Sequence, residues 1–288
     1  MKLGICSGVS NYLPTWYDRF SHLKALGYDA LDHDLADITS NLYKDILAME
    51  SHCREVREAA EKNGLEISQV HGPWPTDDKT EESRSIGWDC MHRAVYGCYL
   101  LGCKNLVIHP QMPFGWGGDT DPDYAEDLTV RLMKELIPDC EQYGVTICLE
   151  NMPFGAQRIS KMKYIVQAVE KVGSEFAGIC LDTGHCNVFN DDIAECVRIS
   201  APYLKVLHVH DNAHGLDSHL IPMLGSIDWR SFTAALSEIG FNGVLSLEIH
   251  NSDASKMSAA VIESYEKLAT EAGMQLVDMV NSVKRIEK

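Results

Sequence analysis

The sequence predicts a single-domain (β/α)8 barrel over residues 1–288, and three observations carry that prediction. Six apolar, strand-like runs each stop on one metal-competent side chain: SQVH at His71, LVIH at His109, ICLE at Glu150, ICLD at Asp182, VLHVH at His208 and LSLE at Glu248. Strand-like and helical stretches alternate along the whole chain, a repeat that closes a barrel. The length suits one large domain, because such a barrel needs about 250 residues. A closed parallel barrel brings the C-terminal ends of successive strands to one face, where its active site sits. The competing doubly wound sheet needs a glycine-rich phosphate turn after the first strand, and SGVSNY contains no GxGxxG.

In chain order, strands are expected near 2–6, 28–32, 65–71, 104–109, 144–150, 177–182, 204–210 and 243–249. Helices are expected between them near 12–26, 41–63, 83–101, 123–143, 158–172, 190–200 and 229–239, with a last one over about 254–284. Gly27, Gly64, Gly102, Gly144 and Gly240 each follow a helical stretch just before the next strand. Glycine tolerates the left-handed turn that ends a helix. Asp121-Pro122 starts the fourth helix, a capping side chain followed by Pro at the first helical position.

Side chains alternate between the faces of a strand. In VTICLE, Val145, Ile147 and Leu149 share one face and Thr146, Cys148 and Glu150 the other. In GICLD, Ile179 and Leu181 oppose Cys180 and Asp182; in VLSLE, Leu245 and Leu247 oppose Ser246 and Glu248; in NLVIH, Leu106 and Ile108 oppose Val107 and His109. The larger aliphatics suit the helix-facing side, which turns each candidate ligand toward the barrel axis. SQVH is less regular, with Ser68 beside Val70 on the outward face.

Glu150, Asp182, His208 and Glu248 come from four consecutive strands and offer oxygen and nitrogen donors for a divalent metal such as Mn, Zn, Co or Mg. Such a set leaves positions open for a substrate's hydroxyl and carbonyl oxygens, so that the ion serves as Lewis acid and template. A carboxylate beside a polarised carbonyl removes a proton from the adjacent carbon, and two carboxylates do so on either face. His185, three residues past Asp182, and Asp217 and His219, in the long loop after the seventh strand, extend the set. His210 and Asp211 stand beside His208, where they would orient ligands or reach the substrate pocket. A lone His at a strand end is more often a hydrogen-bonded structural residue than a ligand, whereas buried Asp or Glu is rare without a partner. Trp74, Phe114 and Trp116 fall on top-face loops and serve either as an apolar pocket wall or as loop packing. Asp32, His33 and Asp34 end the second strand, where pocket lining and helix capping are equally good readings.

Composition excludes several classes. No run of about 18 apolar residues occurs, so no membrane span is expected. The N-terminus MKLGICSGVSNYLPTW lacks a signal-peptide core, and ten scattered cysteines without a CxxC read as reduced thiols of a cytoplasmic protein. A net charge of −17, with no Lys or Arg in loops 110–122, 183–192 and 208–226, disfavours a nucleic-acid partner. A small molecule is the expected partner, and the oligomeric state is left open, a homo-oligomer included.

The ordered motifs HGPW (71–74), VIHP (107–110), LEN (149–151), LDTGH (181–185), HVHDN (208–212), DSHLIPMLGSIDW (217–229) and LSLEI (245–249) resemble the xylose isomerase-like TIM barrel superfamily, in its sugar phosphate isomerase/epimerase branch. In ketose 3-epimerases of that superfamily, positions matching Glu150, Asp182, His208 and Glu248 bind one metal. The two glutamates there also form the acid/base pair, and the position of His185 contacts substrate. Those epimerases commonly carry an Arg in the loop after the seventh strand; residues 208–226 here hold neither Arg nor Lys. The resemblance extends to endonuclease IV, a three-zinc phosphodiesterase. Its nine ligand positions match His71, His109, Glu150, Asp182, His185, His208, Asp217, His219 and Glu248. The resemblance therefore implies a metal-dependent sugar isomerase or epimerase with catalytic Glu150, Glu248 and His185. A two- or three-metal hydrolase or lyase acting on a small phosphodiester or another substrate is the alternative, with one to three ions bound. A binding protein that has lost its activity fits less well, because the carboxylates are intact.

Overall fold

A computed structural model describes residues 1–76, 79–249 and 256–286. Its eight strands are β1 (Lys2–Cys6), β2 (Ala30–Asp34), β3 (Glu66–His71), β4 (Asn105–Ile108), β5 (Thr146–Glu150), β6 (Ala177–Asp182), β7 (Leu204–His208) and β8 (Val244–Leu247). The helices are α1 (Trp16–Leu26), α2 (Ile46–Lys62), α3 (Glu81–Leu100), α4 (Pro122–Tyr143), α5 (Met162–Val172), α6 (Thr183–Val188), α7 (Ile193–Ser200), α8 (Trp229–Glu238) and α9 (Ala259–Ile286). Neighbouring strands run parallel in chain order and β1 pairs with β8, the order expected of a (β/α)8 barrel. The seam between β7 and β8 is narrow. Val209 N–H donates to Ser246 O at 2.8 Å, and Glu248 N–H donates to Val209 O at 3.1 Å. This stitch brings the ends of β7 and β8, and so His208 and Glu248, together.

Helix starts follow local capping chemistry. Thr15, Asp45, Thr80, Asp121, Asp192 and Asp228 each accept a backbone N–H of the first turn that follows. These caps account for the differences from expectation. The first helix starts at Trp16 rather than near 12, and residues Asn41–Tyr43 form a separate 3-10 turn ahead of the Asp45 cap. β2 begins at Ala30 rather than at 28, because Tyr28 N–H still closes α1 by donating to Leu23 O at 3.2 Å. The start expected for the last helix near 254 lies outside the described residues.

The strand parity holds. Ile147, Leu149, Ile179, Leu181, Leu245 and Leu247 join the helix-facing core, while Val107, Cys148, Cys180 and Val206 form a small cluster of their own inside the barrel. β3 owes its irregular pattern to a bulge: Leu31 pairs with Ile67 and Asp32 with Gln69, which leaves Ser68 as the extra residue. None of the ten cysteines forms a disulfide, and nine are buried. Among the described residues no helix is long and apolar enough to cross a membrane.

Candidate metal centre

The strand ends deliver their polar side chains to one buried cluster. Donor atoms of Glu150, Asp182, His208 and Glu248 lie within 4.8 Å of one another. His208 Nδ1 stands 3.0 Å from Glu150 Oε1 and 3.5 Å from Glu248 Oε2. On its other side, Glu150 Oε2 meets His109 Nε2 at 3.1 Å. His71, His109 and Glu150 form a second convergent group, so Glu150 is common to both. His71 points inward despite the bulge, and its ring stacks on His208 with centroids 5.7 Å apart. The third group joins His185, His210, Asp217 and His219. Asp217 Oδ2 lies 3.4 Å from both His185 Nε2 and His219 Nε2. The backbone positions His185 in two ways: Asp182 Oδ1 caps its N–H at 2.6 Å, and its Nδ1–H donates to Asn151 O at 2.7 Å.

Burial and charge oppose each other here. Burial pushes Glu150 toward the neutral form, yet His208 and His109 hold it well below the usual carboxylate range. Asp182 and Asp217 are lowered likewise, against burial, by His185 and His210 in the first case and by His185 and His219 in the second. Glu248 goes the other way, because there burial outweighs His208 and His219 and raises it. Burial would lower His185 and His219, but their acidic neighbours, Asp182 and Asp217 foremost, carry them to about 10 and about 9. Burial prevails at His109, which falls to about 4 despite Glu150. With no ion bound, histidine protons offset the clustered acids. The donor set fits a divalent cation. Oxygens and nitrogens converge on one point, and buried Glu248 Oε2 has no hydrogen-bond partner among the described residues.

Above the cluster opens a cavity of about 550 Å³. His71, His109, Glu150, His185, Asp217, His219 and Glu248 line it, together with Gly8, Val9, Asn11 and Asp34. Asp182 and His208 are fully buried beneath it. Among the described residues no Lys or Arg lines it. Trp74 forms part of the wall, edge-on to His109 at 4.4 Å. Trp116 backs that wall from outside, 4.8 Å from both Trp74 and Phe154.

Of the four residues expected at the pocket, Trp74 lines the cavity and Phe114, Trp116 and His210 are not among its lining residues. Phe114 packs near Tyr124, with ring centroids 6.1 Å apart. The aromatic in its place is Phe154, five residues downstream of Leu149 in the β5 loop. His210 is fully buried and bonded to Asp182 Oδ2 at 3.0 Å, so it braces that carboxylate from below rather than facing substrate. Asp32, left without a role by sequence, reaches His208 Nε2 with its Oδ2 at 2.9 Å.

Comparison with known proteins agrees with this architecture. The chain is 25% identical over 239 residues to a D-psicose 3-epimerase of Enterocloster bolteae, covering 78% of this chain and 74% of the relative. It is 27% identical over 177 residues to a probable endonuclease 4 of Mycoplasma pneumoniae, covering 57% and 58%. The solved structure of the IOLI protein with a bound zinc atom superposes with a TM-score of 0.76 at 20% identity, covering 98% and 99% of the two chains. A family model described as xylose isomerase-like TIM barrel matches residues 20–275, most of the barrel and every strand-end donor. The chain belongs to the xylose isomerase-like TIM barrel family.

Proposed function

We propose that this protein is a metal-dependent isomerase or epimerase of a small sugar or sugar-like polyol. One observation carries the reading. Glu150 and Glu248 flank the same nitrogen of His208 at 3.0 and 3.5 Å, yet their surroundings push their ionisation in opposite directions. A carboxylate pair biased apart is equipped as base and acid. Glu150, held ionised, takes the proton from the carbon next to the substrate carbonyl. Glu248, biased toward its neutral form, returns a proton to that carbon from the other side, and the roles exchange in reverse. Glu150, Asp182, His208 and Glu248 would hold a divalent cation, which supplies Lewis-acid polarisation of the carbonyl and a template for two substrate oxygens. His185 orients a substrate hydroxyl from the cavity side. A wall without Lys or Arg suits an uncharged, hydroxyl-rich substrate rather than a phosphorylated one. The D-psicose 3-epimerase relative and the zinc in the IOLI protein support the same reading.

The test is turnover of ketoses in D2O by the metal-loaded protein. Deuterium should enter at the carbon beside the carbonyl, and Glu150→Gln or Glu248→Gln should cut the rate by about 10²–10⁴-fold. A metal-free purified protein, with Glu150→Gln as active as wild type on every accepted sugar, would sink the proposal.

A second reading rests on three of the donor groups, which together use all nine expected ligands. It makes the protein a two- or three-metal hydrolase or lyase acting on a small substrate. Elemental analysis separates the two, with about one equivalent for the epimerase and two to three for the hydrolase.

A further inference from the structure

The Asp32-His33-Asp34 triplet ends β2, and the pleat separates its members. His33 turns outward, where it bonds Ser7 Oγ and His52 Nε2, each at 3.1 Å. Asp34 stands at the cavity rim, exposed. Asp32 turns inward and is 3% exposed. Its Oδ2 lies 2.9 Å from His208 Nε2 and accepts Gln69 Nε2–H at 3.0 Å. Gln69 Nε2 also donates to Leu207 O at 3.2 Å, so Asp32 is tied to the backbone of the strand that carries His208.

We propose that Asp32 is a positioning residue that fixes the working tautomer of His208, an inference that rests on the metal-site reading above. An ionised carboxylate only accepts hydrogen bonds, so the Nε2 facing it must carry the proton. Neutral His208 then presents its lone pair at Nδ1, the atom that faces Glu150 and Glu248. Without Asp32 the imidazole is free to take the other tautomer, which aims an N–H at the donor cluster and blocks coordination. The hydrogen bond also makes the ring a stronger donor, and removal of such a partner typically costs about 10–100-fold in metal affinity. Gln69 holds the aspartate in register, and the bulge at Ser68 places Gln69 opposite it.

The experiment is competition of Zn²⁺ between the full-length chain and a fluorescent chelator. Asp32→Ala should weaken Zn²⁺ binding by about 10–100-fold. Asp32→Asn, which keeps one neutral acceptor, should fall between it and wild type, and decides the matter should Asp32→Ala not fold. Asp34→Ala removes the same charge two residues along without touching His208, and should bind as wild type does. In the Zn²⁺-loaded wild type, ¹⁵N shifts of His208 should show a metal-bound Nδ1 and a protonated Nε2. Wild-type affinity in both Asp32 variants overturns the inference, as does an equal loss in Asp34→Ala, which would reduce the effect to net charge. Zn²⁺ binding that is absent in wild type, or unchanged by Glu150→Gln, overturns the metal-site reading itself and this inference with it.

Discussion

At the level of single residues, histidine sets how the centre responds to pH. His185 and His219 sit at about 10 and about 9 with no ion bound, so both are cationic at neutral pH. A ligating imidazole must be neutral, so on the two- or three-metal reading metal entry at those residues expels protons. Affinity for Zn²⁺ should therefore rise with pH from 6 toward 9, and calorimetric heats at pH 7 should differ between buffers of unlike protonation enthalpy. Equal heats in both buffers would contradict this. In the metal-free chain the same histidines stabilise the fold fully below about pH 6.5, their unfolded value, and lose that contribution as pH climbs through about 9 and 10. The strand-end donors were legible in sequence because two rules coincide on them: a period of two along the strand, and a barrel that gathers strand ends. Asp32 was not legible in the same way. An acid at a strand end serves equally as a cap or as pocket lining, and only the three-dimensional closure across the barrel brings it to His208. Phe114 and Phe154 differ for a similar reason: which loop aromatic lines the cavity is set by the folding of each loop, which has no period in the sequence.

At the level of elements, the loop between β7 and α8 is held by one buried carboxylate. Asp211 Oδ1 accepts the N–H groups of Asn212 at 2.9 Å and Ile227 at 3.2 Å. Its Oδ2 accepts Met223 N–H and Trp229 Nε1–H, both at 2.9 Å. Gly225 completes the turn, since a Cβ there would lie 2.3 Å from Asp211 Oδ1 and from Asn212 O. The loop so folded carries Asp217 and His219 to His185. Asp211→Ala strands buried donors, each worth about 1–3 kcal/mol, and should destabilise the protein by about 3 kcal/mol or more. On the two- or three-metal reading it should also lower the total metal content, which on the one-metal reading stays at the wild-type level. Urea unfolding and elemental analysis check this, and an unchanged midpoint with unchanged metal content would refute it. Sequence singled out Asp217 and His219 in this long loop but not Asp211 as its anchor, because acceptor geometry of this kind has no period. α6 escaped for a related reason: TGHCNV is too short to show a helical repeat, and the Asp182 cap alone turns it.

At the level of the whole molecule, the last helix packs against the β1–α1 loop, which lines part of the cavity. α9 packs on β1, β8, α1 and α8, and its Glu266 is buried with 1% exposure. Glu266 Oε1 accepts Ser10 Oγ–H at 3.1 Å, and Oε2 accepts Tyr12 Oη–H at 3.1 Å and stands 2.8 Å from His22 Nε2. Ser10 and Tyr12 belong to the β1–α1 loop, which gives Gly8, Val9 and Asn11 to the cavity wall. The last helix thus holds a loop that lines part of the cavity, while the strand ends gather the donor cluster. This separation predicts a split in kinetics. Glu266→Ala leaves Ser10 without its buried acceptor and frees the loop, and should cost about 1–3 kcal/mol of stability. KM for the sugar it converts should rise, with metal content unchanged and kcat affected much less, because uniform binding is lost and the proton-transferring pair is untouched. Glu266→Gln keeps an acceptor oxygen toward Ser10 and Tyr12 and should recover most of the KM. Thermal unfolding, elemental analysis and steady-state kinetics on both variants read the three quantities separately. A fall in kcat with KM unchanged would mean that the loop acts on the reacting atoms instead, and would undo the division of labour between α9 and the strand ends.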